Sequence, residues 1–197
     1  MPSPKKKLPP KRKPGPKLIH QIKITLQGIE PPIWRRFQVP ADIRLSMLHG
    51  VIQDVMGWED DHLHQFFIDG KCYGDARLAD QEGVDNEDRI KLNQVIQTKG
   101  GSFIYEYDFG DSWEHRLEVE EILFAEPDAR YPRCVAGERA CPPEDCGGVW
   151  GYADLLDAIK DPAHPEHEER SEWLDDDFDP EEFDLDGLNE FWRERYK

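Results

Sequence analysis

Residues 22–57 read IKITLQGIEPPIWRRFQVPADIRLSMLHGVIQDVMG, and the period of their apolar positions changes once. Ile22, Ile24 and Leu26 alternate with Lys23, Thr25 and Gln27, the two-residue period of a half-buried strand. Gly28 to Pro32 interrupts it. Ile33, Arg35, Phe37 and Val39 then resume the alternation against Trp34, Arg36 and Gln38 until Pro40. From Leu45 the period lengthens, and Leu45, Leu48, Val51, Ile52, Val55 and Met56 fall on one helical face. Gly57 stands where a left-handed cap ends such a helix. Two strands followed by a helix with one apolar face predict a hairpin that buries one side against that helix.

Working outward, Leu63 to Ile68 reads as a third strand, and Asp69-Gly70 is a hairpin signal leading into Lys71-Cys72-Tyr73. Residues 75–88 are polar and read as a loop. Ile90 to Ile96 fits either a helical turn or a strand. Phe103 to Phe109 and Trp113 to Phe124 are strands joined at Gly110-Asp111. The expected class is α+β: a small mixed β-sheet roll with one packed helix, with the ubiquitin-type grasp as a candidate arrangement. Tyr131 to Gly151, with three Cys and four Gly, reads as loop. Helices follow at Tyr152 to Ile159, Pro165 to Leu174 and Pro180 to Arg193, the last with Pro180 in its first turn. These C-terminal helices are expected to cover the sheet.

Charge divides the chain into blocks. Residues 1–17 carry seven basic and no acidic residues among prolines, and read as a disordered basic tail. Residues 154–197 carry seventeen acidic and five basic residues. Residues 18–197 form one expected domain, with the sheet and helix core in 18–126 and the Cys/Pro/Gly loop and acidic helices in 127–197. The net charge of −17 argues against nucleic-acid binding by the folded body, which leaves residues 1–17 as the segment for weak nucleic-acid contact. No apolar run approaches the roughly 18 residues of a spanning helix, and the basic start runs into Pro and Gly rather than an apolar stretch. A cytoplasmic protein without membrane partners is expected, its four Cys being thiols or metal ligands rather than disulfides.

Five strings carry a resemblance. They are Pro31-Pro32-Ile33-Trp34-Arg35-Arg36, Leu48-His49 to Gln53 with Gly57-Trp58, His62-Leu63-His64-Gln65-Phe66, Tyr105 through His115, and Cys134 through Tyr152. The run Tyr107-Asp108-Phe109-Gly110-Asp111 is the most specific. The chain resembles the Ri-plasmid ORF-three-like family over about residues 18–195. That resemblance implies an α+β fold and a bacterial or archaeal cytoplasmic protein, of a kind found on plasmids and as a passenger of mobile elements. It implies no activity. Some members carry a resolvase-like label, which the residues do not support. The only Arg pair, Arg35-Arg36, has no Ser beside it, and no basic helix-turn-helix is present.

Three groups are candidate sites. His62 and His64, if both on a strand, point the same way and begin a metal site. Asp108, Asp111 and His115 supply carboxylates and an imidazole for acid–base work or ligation, although Asp108 and Asp111 also suit a tight turn. Cys134, Cys141 and Cys146, with one His, would complete a structural zinc site, the one cofactor expected. Trp34, Trp58, Phe66, Tyr107 and Trp113 are candidates to line a groove for a protein or peptide. The residues thus favour a non-enzymatic interaction module, with a metal-dependent hydrolase built on His, Asp and Cys as the alternative.

Overall fold

The alternation in residues 22–39 pairs as an antiparallel hairpin in the computed structural model, which describes residues 16–75, 77–78, 83–174 and 178–196. The elements in chain order are β1 (Leu18–Leu26), β2 (Trp34–Pro40), α1 (Leu45–Met56), β3 (His64–Ile68), β4 (Lys71–Gly74), β5 (Val84–Asn86), α2 (Leu92–Val95), β6 (Ser102–Tyr107), β7 (Trp113–Phe124), β8 (Arg133–Glu138), α3 (Gly148–Lys160), α4 (His167–Trp173) and α5 (Leu185–Arg195). The strands form one sheet in the order β5-β4-β3-β6-β7-β1-β2-β8. Among the described residues only β4 and β5 pair in parallel. The fold is α+β with a mixed sheet. It differs from a ubiquitin-type grasp in that β7 joins β1 antiparallel, so no parallel pair lies at the sheet centre.

One face of the sheet is dry. Ile22, Ile24 and Leu26 of β1, Phe37 and Val39 of β2, Tyr105 and Tyr107 of β6, and Trp113, Leu117 and Val119 of β7 are all buried. They meet six of the seven apolar residues of α1, all but the exposed Met47, and each of the six is buried and stabilises the fold by about 1.5–3 kcal/mol. Gly57 ends α1 with φ 88, a conformation costly for a side chain, and its N–H reaches the Gln53 carbonyl at 2.8 Å. Tyr152 and Leu155 of α3 and Trp192 of α5 join the same core, whereas α4 contributes no buried residue. The other face carries Lys23, Thr25, Trp34, Arg36 and Glu120, the polar side expected of an antiparallel sheet.

Arg35 and Arg36 separate across these faces. Arg36 donates to Glu120 on β7 at 2.8 Å and stacks over Trp34. Arg35 is buried and donates to the Val55 carbonyl at 3.0 Å. The last turn of α1 holds no basic residue of its own, so this guanidinium from β2 satisfies the negative end of that helix. Its plane rests on Phe183, 3.9 Å away.

Several elements depart from the periodicity. β5 lies within the stretch expected to be loop, and β8 within the Cys-bearing stretch expected to be loop. Neither RCVAGE nor VDN alternates apolar with polar residues, so pairing with a neighbour supplies what their own pattern lacks. Ile90 to Ile96 holds the short helix α2. The last helix begins at Leu185 and not at Pro180, because the Asp184 side chain caps it by accepting the Gly187 N–H at 2.9 Å. The basic tail lies, up to residue 15, outside the described residues. Lys17 already belongs to the fold, its carbonyl accepting the Ala125 N–H at 2.9 Å.

Candidate functional site

The turn between α1 and β3 distributes its side chains to two clusters. Tyr105 and Tyr107 alternate on β6 and point to the same buried face, and their hydroxyls reach opposite sides of this turn. The Tyr105 hydroxyl lies 2.8 Å from His49 Nδ1 and accepts from Gln53 Nε2 at 2.9 Å. The Tyr107 hydroxyl accepts the Asp61 and His62 N–H groups at 3.1 and 3.3 Å and donates to Glu144 Oε1 at 3.0 Å.

The inner cluster is His49, His64, Asp60 and Glu87. His49 Nε2 lies 2.8 Å from Asp60 Oδ1, and His64 Nε2 lies 2.9 Å from Glu87 Oε2. The two imidazoles stack with centroids 3.4 Å apart and planes within 5°. Burial, followed by the neighbouring His64, holds His49 down to about 4, so it is neutral at physiological pH. The ligand atoms of His49, Asp60 and His64 fall within 4.8 Å of one another. Chelation nonetheless fails on orientation. An imidazole binds a metal along a lone pair in its own plane, and two parallel planes 3.4 Å apart cannot both contain one ion. This cluster is a packed, hydrogen-bonded core.

The outer cluster is His62, Asp108, Glu144 and Asp145, from three chain segments. Its ligand atoms on His62, Asp108 and Asp145 also lie within 4.8 Å of one another. His62 Nε2 is 3.3 Å from Asp145 Oδ1 and 3.7 Å from Glu144 Oε2, while Nδ1 faces Asp108 Oδ1 at 3.8 Å. Glu144 is aimed. Its Oε1 accepts from the Tyr107 hydroxyl and the Glu59 N–H, both at 3.0 Å, which leaves Oε2 buried with no hydrogen-bond partner. His62 Nε2 is buried and unpartnered as well. Burial raises the Glu144 carboxyl above the ordinary range. The Glu144 and Asp145 carboxylates, the latter largely exposed, flank His62 Nε2 at 3.7 and 3.3 Å, although Glu144 lies outside the group whose ligand atoms all fall within 4.8 Å of one another. Asp108 stands behind Nδ1 at 3.8 Å, where a closer approach would let it orient the ring.

Residues 18–187 match the family model described as plasmid pRiA4b ORF-3-like protein. The chain belongs to the plasmid pRiA4b ORF-3-like family. Its relatives include the uncharacterized protein y4hQ of Sinorhizobium fredii (strain NBRC 101917 / NGR234), 40% identical over 174 residues that cover 86% of this chain and 88% of that one. Among solved structures it resembles the protein of unknown function MM3350 from Methanosarcina mazei Go1, with TM-score 0.81 and 40% identity over 88% of this chain and 98% of that one. Neither description names an activity. Among the described residues no helix is long and apolar enough to cross a membrane.

The expected site residues divide. His62 and His64 do not converge, because β3 begins at His64 and the two-residue period does not extend back to His62. Asp108 joins His62. It also closes its own turn, with φ 55 and Oδ1 accepting the Gly110 N–H at 2.9 Å. Asp111 instead ties that turn to the Cys loop by accepting the Gly147 N–H at 3.0 Å. A Cβ on Gly148 would meet the Asp111 carbonyl oxygen at 2.6 Å, so glycine is required for that approach. His115 does not reach the turn. It is fully buried, bonds the Trp113 carbonyl at 3.0 Å and is driven down to about 3 by burial, so it does no acid–base work at neutral pH.

Nor do the three cysteines assemble a zinc site with a histidine among the described residues. Cys134 lies on β8 with its thiol against backbone carbonyls, and burial pushes Cys134 up to about 11 and Cys146 to about 12. Cys141 is raised still further by burial. The aromatic groove also fails. Phe66, Tyr107 and Trp113 are core residues at 0% exposure, Trp58 is buried against Tyr107, and Trp34 lies on the opposite face of the sheet. His49, Asp60, Glu87, Glu144 and Asp145 are the site-forming residues that patterning missed. His49 hides in an apolar helix face, and Glu144 stands in a loop whose shape the sequence does not disclose.

Proposed function

We propose that this protein is a divalent-metal-dependent hydrolase whose metal is held by His62, Glu144 and Asp145, with Asp108 orienting the imidazole. The observation that carries the reading is the unpartnered pair of buried atoms, His62 Nε2 and Glu144 Oε2, facing each other beside an exposed Asp145. Leaving such atoms unsatisfied costs about 1–3 kcal/mol each, which a cation between them would recover. When bound, the cation would supply an activated water. The protein's own nucleophiles at this end are disarmed: Cys141, Cys146 and the Tyr107 phenol are raised by burial, and the Ser112 hydroxyl is donated to Glu106. The Tyr107 hydroxyl and the Glu59 N–H hold Glu144 in place with its Oε2 free for the cation.

An interaction module built on the aromatic residues has lost its surface, since four of the five are core. The test is elemental analysis of untagged protein, followed by turnover of amide, ester and phosphoester probes with and without chelator. One equivalent of cation per chain and chelator-sensitive hydrolysis, both lost in Asp145→Asn and His62→Gln, are expected. Metal-free protein that takes up no added Zn²⁺ or Mn²⁺, or turnover that survives both substitutions, removes the proposal.

A further inference from the structure

Glu144 belongs to two places at once. Its Oε2 faces His62, and the residue also lines a cleft of about 250 Å³ beside the outer cluster. The far walls of that cleft are Trp58, Pro142-Pro143, Trp173, Leu174 and Phe178. Trp58 Nε1 is already committed to the Pro142 carbonyl at 3.0 Å, so the indole offers the cleft its apolar ring. The volume accommodates one large side chain rather than a whole ligand, and the cleft is open to solvent. None of the described residues lining it is basic. Beside Glu144 stand two exposed acids, Glu59, whose N–H binds the Glu144 carboxylate, and Asp145. A phosphoryl or carboxylate ligand entering here would meet only negative charge, while a cation would be drawn in.

We infer that the cleft is a specificity pocket for a large apolar side chain of a basic peptide, the acidic rim holding the flanking positive charges. The inference rests on the hydrolase reading in that Glu144 places the bound side chain next to the proposed cation. The scissile bond is then an amide adjacent to that side chain. Charge complementarity excludes phosphoesters and acidic peptides, and the proline-walled apolar floor excludes small polar side chains.

Calorimetry at low salt on the full chain tests this with three peptides: acetyl-Lys-Phe-Lys-amide, acetyl-Lys-Gly-Lys-amide and acetyl-Glu-Phe-Glu-amide. The first is expected to bind about tenfold or more tighter than either of the others, a gap of about 1.4 kcal/mol or more. Trp173→Ala should erase the preference for Phe over Gly and leave the preference for basic over acidic peptides. No residue of α4 is buried, so this variant keeps its fold. Equal affinity for the Phe and Gly peptides, equal affinity for acidic and basic peptides, or no binding of any peptide overturns the pocket. Cation content measured on the same samples separates the two claims. Peptide discrimination by protein that takes up no metal keeps the pocket and removes the hydrolase, and a loaded protein without discrimination does the reverse.

Discussion

His62 and His64 stand two positions apart, yet the His64 side chain is 3% exposed and the His62 side chain 28%. Each imidazole lies among carboxylates. His64 is stacked on His49 and paired on its Nε2 with Glu87, while its buried Nδ1 has no hydrogen-bond partner. His62 meets its carboxylates at 3.3 to 3.8 Å without forming a hydrogen bond, and its buried Nε2 stays unpartnered. Proximity of histidine to acid is the same in both. What differs is the direction of the free nitrogen: His62 Nε2 faces Glu144 and Asp145, whereas the stacked inner rings point at no common position.

The sharpest separation is in stability. His64→Ala leaves the Glu87 carboxylate, only 4% exposed, without its partner, and is expected to cost about 3–5 kcal/mol. His62→Ala breaks no normal hydrogen bond and should stay within about 0.5 kcal/mol. Urea titrations of the two variants with similar midpoints would erase the distinction.

Acid sensitivity should belong to the inner side. His49 and His115 bind protons less readily in the folded protein, at about 4 and about 3, than at their ordinary 6.5. The unfolded chain therefore holds more protons between these values, and stability falls as pH drops below 6.5. Each group contributes a slope of up to about 1.4 kcal/mol per pH unit. His115→Leu should flatten the decline between pH 6.5 and 4 in denaturation midpoints. An unchanged slope would contradict the burial of that ring as the cause.

Metal affinity should belong to the outer side. Asp108→Asn is expected to weaken Zn²⁺ or Mn²⁺ binding about 10–100-fold, as loss of a ring-orienting carboxylate does. His49→Gln should leave it unchanged. Competitive chelator titration reads both, and equal losses would place the ion in the inner cluster instead. The smallest effect concerns the wet face. Trp34→Ala removes contacts with Lys23 and Arg36 at 4.9 and 5.1 Å and should cost about 0.5–1 kcal/mol in unfolding measurements. A core-sized loss would mean that Trp34 is covered.

Much of the fold was legible wherever a residue's fate depends on its neighbours in sequence. The hairpin β1–β2, the helix α1 with Gly57 at its end, and the turn at Asp69-Gly70, whose φ values are 49 and 75, all follow from local period and turn chemistry. β5 and β8 were not legible, because their side chains carry no alternation and only the neighbouring strand calls them into the sheet. The candidate site was half legible. His62 and Asp108 stood out by type, whereas the pairing of His62 with His64 assumed a strand that begins two residues later.

The sequence by itself determined an acidic α+β protein with one apolar helix face, two cis-independent turn signals at Asp69-Gly70 and Gly57, and a histidine- and aspartate-rich set of turns. Only the tertiary structure decided which side chains are spent on the core. Trp58, Phe66, Tyr107, Trp113 and His115 have the composition of a binding surface and the burial of an interior. Glu144 has the composition of a solvated loop, and Tyr107, 37 residues away, turns it inward. The physical reason is that burial and lone-pair direction are properties of contacts between distant segments, which local period and residue type do not encode.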